Sequence, residues 1–160
     1  MLSSTTFLTT VAAPAPFLFK KEIKRPSIKL YYHLVLETEG GALDEDRSLK
    51  FRRFVAGYVR AKGGSLKAAA CAQGKIYLLV GIDHTVSLAD FVRDLKLVSR
   101  TFARKKLDAA DFGYDDRFDA FTVSLSQIGR VQGYISRQTR LEKQESYASS
   151  WQPVTLGANF

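Results

Sequence analysis

One cysteine and two histidines are all that the 160 residues contain of the side chains that most often build disulfides and metal sites. A lone thiol, Cys71, forms no disulfide within the chain and cannot supply a cysteine-based zinc site. It lies in Ala68-Ala69-Ala70-Cys71-Ala72, where a small thiol is expected to pack as an apolar residue. No run approaches the ~20 apolar residues that a membrane-spanning helix needs. No membrane partner is therefore expected, and the expected location is cytoplasmic. Acid is scarce too: 16 Asp and Glu stand against 24 Lys and Arg, a net charge of +8. An isoelectric point near 9.7 favours a polyanionic partner, nucleic acid before membrane.

The charges are not spread evenly. Residues 47 to 82 hold no acid, but they carry Arg47, Lys50, Arg52, Arg53, Arg60, Lys62, Lys67 and Lys75. A second cluster is Arg93, Lys96, Arg100, Arg104, Lys105 and Lys106, and a third is Arg130, Arg137, Arg140 and Lys143. Residues 108 to 119 reverse the sign, with five Asp and one Arg. Any one basic cluster is also what a solvated helix face looks like. Three in one small domain point to a phosphate-facing surface, with Arg52, Arg53, Arg60, Lys96, Arg100, Arg104, Arg130 and Arg137 as candidate nucleic-acid contacts.

The length and the 46% hydrophobic content suit one domain with one sizeable core. Met1 to Phe19 is uncharged and lacks the basic start of a secretory signal, and Pro14, Pro16 and Pro26 punctuate the first 26 residues. Residues 1–26 are expected to be a poorly ordered leader, 27–145 the folded domain and 146–160 a tail.

Within the domain, residues 28 to 37 read as a strand, rich in aromatic and branched side chains. Phe51, Phe54, Val55, Tyr58 and Val59 recur at helical spacing, which predicts a helix over 47–62 closed by Gly63-Gly64. Residues 66–72 and 75–82 read as two strands turning at Gln73-Gly74. Ser87 is a candidate cap for a helix whose apolar stripe is Leu88, Phe91, Val92, Leu95, Val98 and Phe102. The Asp-rich stretch 108–119 reads as a loop and 118–124 as a fourth strand. Ser124 and Gln127 are spaced like a capping box before a last helix carrying Ile128, Val131 and Ile135. The order β-α-β-β-α-β-α predicts an α+β, ferredoxin-like fold: an antiparallel four-stranded sheet with helices on one face. Such a fold hosts many functions and chooses none.

Three stretches resemble one family. They are Tyr32-His33-Leu34-Val35; Tyr77-Leu-Leu-Val80 followed by Ser87-Leu-Ala-Asp-Phe-Val-Arg-Asp-Leu-Lys96; and Asp119-Ala-Phe-Thr-Val-Ser-Leu-Ser-Gln127 leading to Gly133-Tyr134-Ile135-Ser136-Arg137-Gln138. In this order, over about residues 30 to 142, they are similar to the REP-associated tyrosine transposases, a branch of the single-tyrosine insertion-sequence transposases with a His-hydrophobic-His motif. The resemblance implies a tyrosine that attacks a DNA phosphate and becomes linked to the 5′ end. It also implies two strand histidines and a glutamine that hold Mg or Mn, which polarises and positions the phosphate. Hairpin-bearing single-stranded DNA is the implied partner, and a homodimer the implied assembly.

Carried over by position, Tyr134 matches the nucleophile and Gln138 the glutamine ligand. The histidine pair should stand at 75 and 77, where this chain has Lys75 and Tyr77. An ammonium has no lone pair for a metal, a neutral phenol is a poor ligand for a hard cation, and one glutamine does not hold Mg or Mn alone. No cofactor is therefore expected. His33 reads as a packed strand residue and His84, beside Asp83, as a surface loop residue. The family's Trp and Gly before the fourth strand are replaced by Tyr114-Asp115-Asp116-Arg117-Phe118, and its basic residue after the first strand by Glu37 and Glu39.

Three functions are consistent with these residues. The first is a transposase-related protein that binds hairpin single strands without strand transfer. The second is an active nuclease in which Tyr134 works with the Lys75 ammonium in place of the metal. The third is a ferredoxin-like dimeric regulatory module with no DNA role.

Overall fold

A computed structural model describes residues 29–141, so the expected leader and tail lie outside the described residues. Four strands and three helices follow one another: β1 (Lys29–Glu39), α1 (Glu45–Ala61), β2 (Ser65–Ala72), β3 (Lys75–Asp83), α2 (Leu88–Lys106), β4 (Gly113–Val123) and α3 (Ile128–Leu141). A single 3-10 turn, Leu125–Gln127, joins β4 to α3. All strand pairs are antiparallel and the spatial order is β2-β3-β1-β4, as expected for the ferredoxin-like class.

Local chemistry sets most of the boundaries. Helix α1 begins two residues before the periodicity suggests, because the Asp44 carboxylate accepts a hydrogen bond from the Arg47 N–H at 2.8 Å. Glu45 and Asp46 then sit at the positive end of the helix dipole and Arg60 at the negative end. The turn between β2 and β3 places both Gln73 (φ 52°) and Gly74 (φ 69°) in the left-handed region. That is the backbone of a two-residue hairpin whose twist matches the strands. Ser87 caps α2 as expected, its hydroxyl oxygen accepting from the Asp90 N–H at 3.3 Å.

The period-two alternation of β1 and β3 divides the core into two layers. Leu34, Leu36, Ile76, Leu78, Val80 and Ile82 face α1 and α2, meeting Phe51, Val55 and Val59 of the first helix and Phe91, Val92 and Leu95 of the second. Val35, Tyr77 and Leu79 face the other way, with Ala70 and Ala72 of β2, and are covered by α3 through Ile135. Each fully buried aliphatic or aromatic side chain contributes about 1.5–3 kcal/mol. The three helices thus lie two on one face and one, α3, on the other, rather than all on one face as expected.

Two further expectations need correcting. The acidic stretch is not all loop: β4 starts at Gly113, so Tyr114 to Phe118 belong to the strand. Among the described residues β4 is an edge strand that pairs only with β1, so its acids reach solvent, and low strand propensity is tolerated there. The register jumps between Leu36↔Phe118 and Thr38↔Tyr114, which leaves Asp115–Arg117 as a bulge. The Lys96 ammonium binds that bulge, donating to the carbonyl oxygens of Asp115, Asp116 and Arg117 at 2.7, 3.1 and 3.2 Å.

The capping box at Ser124 does not form either. Gln127 N–H donates to the Ser124 backbone carbonyl at 2.9 Å, and the Ser124 hydroxyl lies 3.1 Å from that of Ser126. The 3-10 turn supplies from the backbone what the side chain was expected to supply.

Candidate functional site

Side chains two apart on a strand share a face, and those four apart on a helix are neighbours. These two rules bring the resemblance-derived residues together on the α3 side of the sheet. The Tyr134 ring stands edge-on to two others: His33 of β1, 5.7 Å away between centroids at 77°, and Tyr77 of β3, 6.2 Å away at 81°. His33 and Tyr77 lie side by side at 6.4 Å, and Phe121 of β4 continues the row 6.0 Å beyond His33. One turn along α3, Gln138 is buried (8% exposed), and its amide donates to the Tyr134 carbonyl at 3.4 Å.

Burial decides the protonation of this group. His33 is 4% exposed, and desolvation lowers its pKa, so the imidazole is neutral at neutral pH. Burial raises the Tyr77 phenol, and burial with the nearby Tyr77 raises Tyr134. Both phenols are protonated near pH 7.

Lys75 opens β3 on the same face but at its margin. Its ammonium lies 3.4 Å from the Glu37 carboxylate, the residue opposite it in the register, and both side chains are about two-fifths exposed. The donor set does not fit a divalent metal: an ammonium held by a carboxylate, a protonated phenol, one amide and a single buried imidazole, His33. Among the described residues no group of three His, Cys, Asp or Glu is placed to hold a metal ion. His84 is an exposed loop residue whose Nδ1 lies 3.3 Å from Asp83. Cys71 is half-buried and packs against the α1–α2 layer.

The basic residues fall on both sides of the sheet. Arg53, Arg60 and Arg100 are exposed on α1 and α2, with Arg52 partly covered. Arg104 directs its Nε–H to the Phe112 carbonyl at 2.7 Å, and Lys96 is taken by the β4 bulge. Those two cations hold the fold together. Arg130 and Arg137 are exposed on α3, on the opposite side from the α1–α2 group. They stand four residues before and three after Tyr134, so they bracket it along one helix face.

Sequence reasoning missed the neighbours supplied by β4. Phe121 is 40% exposed and Asp119 is exposed, and both share the face of His33, Val35 and Glu37. Period-two alternation within the expected strand 118–124 was the signal; which strand it pairs with, β1, is set by long-range pairing.

The family described as "Transposase IS200 like" matches residues 27–138, and the chain belongs to that family. A crystal structure of a protein described as a candidate transposase from Deinococcus radiodurans superposes with a TM-score of 0.53 at 24% identity, covering 71% of this chain and 95% of that one. At that identity the likeness shows the fold. No curated protein matches. No helix among the described residues is long and apolar enough to cross a membrane.

Proposed function

We propose that this transposase-family domain binds single-stranded, hairpin-bearing DNA and does not cleave or join it. One observation carries the reading: the strand positions at which the resemblance implies metal-binding histidines hold Tyr77, beneath Tyr134, and Lys75, at the margin and already paired with Glu37. A phenol kept protonated by burial is a weak nucleophile, and nothing in the donor set replaces the lost Lewis acid. Binding needs neither. Arg130 and Arg137 beside Tyr134, with Arg53, Arg60 and Arg100 across the sheet, supply the phosphate contacts that dominate affinity. The homodimer belongs to the same proposal, since among the described residues β2 and β4 are the edge strands of the sheet.

A second reading retains the chemistry. Tyr134 lies against a neutral imidazole, His33, which can accept the phenolic proton. This activity would be metal-independent, and EDTA would leave it intact.

One experiment tests both readings. Labelled hairpin single strands are incubated with the protein in Mn²⁺, Mg²⁺ or EDTA, and each sample is split between native and denaturing gels beside a Tyr134→Phe variant. A native shift without a denaturation-resistant adduct is expected in every lane. An adduct that vanishes in Tyr134→Phe overturns the inactive reading, and its survival in EDTA selects the metal-independent one.

A further inference from the structure

On the sheet face that carries α1 and α2, helix α2 packs only lightly against β4. Between them lies a pocket of about 330 Å³, the size at which small-molecule sites begin. Its apolar surface comes from Val92 and Leu97 of α2 and from Tyr114 and Phe118 of β4. Tyr114 directs its hydroxyl to the buried Ser99 hydroxyl at 2.7 Å, so it gives the pocket a ring and no polar atom. Lys96 ties the two walls together. Its ammonium donates to the Asp115 and Asp116 carbonyls at 2.7 and 3.1 Å, which holds the β4 bulge at a fixed distance from the helix. The pocket is therefore built before any ligand arrives, and ordering it costs little on binding.

The charges around this pocket define what fits it. Arg93 is shared between Asp90 at 2.8 Å and Asp94 at 3.5 Å. Arg100, two turns further along α2, makes no hydrogen bond or ion pair among the described residues, and Asp116 lines the pocket from the bulge. A complementary ligand carries an anion for Arg100, a hydrogen-bond donor for Asp116 and an apolar body between them. Inorganic phosphate lacks the body, and a fatty acid lacks the donor. From this arrangement we infer that the α2–β4 pocket is a binding site for a nucleoside monophosphate, with its phosphate on Arg100, its base against Leu97 and Phe118, and its exocyclic amine toward Asp116. A planar guanidinium matches a phosphate with two parallel hydrogen bonds, which an ammonium does not. The site lies on the sheet face opposite Tyr134 and does not rest on the DNA-binding reading.

The test uses the full chain and titration calorimetry at low salt, with adenosine monophosphate, adenosine and inorganic phosphate as separate probes and no DNA present. Adenosine monophosphate is expected to bind about tenfold more tightly than adenosine, and inorganic phosphate more weakly than either. Arg100→Met is expected to bring adenosine monophosphate down to the level of adenosine and to leave adenosine unchanged. Leu97→Glu, which sets an acid at a position already 53% exposed, is expected to abolish binding of the monophosphate. Both positions are exposed, so neither substitution endangers the fold. Lys50→Met removes the same charge from an exposed position of α1 and is expected to change nothing. If inorganic phosphate binds as tightly as adenosine monophosphate, the pocket is a bare anion contact and the inference is overturned. Undiminished binding in both Arg100→Met and Leu97→Glu places the nucleotide elsewhere and overturns it too, as does the absence of binding up to about 10 mM nucleotide. None of these outcomes touches the DNA-binding reading, which the hairpin gels judge separately.

Discussion

The rings of Tyr134 and Tyr77 meet edge to face, 6.2 Å apart between centroids and 81° between planes. The candidate nucleophile therefore stands over the strand position at which the resemblance implies a metal-binding histidine. The contact makes that implied site open to reconstruction. A Lys75→His, Tyr77→His double variant puts two imidazoles two residues apart on one strand face, with Gln138 on the helix above. Titration calorimetry is expected to detect Mn²⁺ binding by the double variant and none by the wild type. Absence of binding by a folded double variant would mean that positions 75 and 77 are not the equivalents of the pair.

A buried imidazole leaves a signature in acid. The folded-state pKa of His33 lies below the ordinary 6.5, so the unfolded chain takes up a proton before the folded one does. Its contribution is fully present above about pH 6.5 and is lost as pH falls through the lower folded value. The urea midpoint is expected to fall between about pH 7.5 and about pH 5, and to fall less steeply in His33→Phe. Equal slopes in the two proteins would place the acid sensitivity elsewhere.

Lys96 bears on stability. Its ammonium binds three successive carbonyls of the β4 bulge and lies over the Tyr114 and Phe118 rings at 5.9 and 5.4 Å. Lys96→Met keeps the length of the stem and removes these bonds, at an expected cost of about 2 kcal/mol in chemical denaturation. The exposed Arg100→Met is expected to change stability by no more than about 0.5 kcal/mol. In DNA titrations the order reverses, with Arg100→Met lowering the salt slope and Lys96→Met leaving it alone.

Two adjacent glycines separate backbone strain from collision. At Gly40 (φ +81°) the Asp111 carbonyl oxygen occupies the place where a Cβ would sit, while Gly41 (φ +100°) has open space there. Gly41→Ala carries only the conformational penalty of about 1–2 kcal/mol. Gly40→Ala must also push the Asp111 segment away and is expected to lower the thermal midpoint further than Gly41→Ala.

How much of this was legible in the sequence depended on whether the signal was local. Strand–helix order, the Gln73-Gly74 turn and the Ser87 cap are written within a few residues each, and all stand in the structure. The start of β4 was not legible. Five Asp in twelve residues look like a loop until an edge position and a lysine nineteen residues upstream make the strand tolerable. Ser99 was likewise outside the expected apolar stripe of α2. It is fully buried because its hydroxyl is satisfied by the Leu95 carbonyl at 2.6 Å and the Tyr114 hydroxyl at 2.7 Å. The convergence of Tyr134, Tyr77 and Gln138 was readable from spacing and resemblance together. The crossing of α3 to the face opposite α1 and α2 was not, because that choice is made by long-range packing of Ile135 on the sheet.

The bulge at Asp115–Arg117 also shapes how copies of this chain can meet. A flat edge strand is a template on which further strands add without limit. Here the outermost strand is interrupted near its start, with Asp115 and Asp116 inside the interruption and Asp119 just beyond it. Only its uninterrupted stretch, from Phe118 to Val123, offers a regular ladder, about six residues long. A segment that short can pair only with a partner strand of limited length.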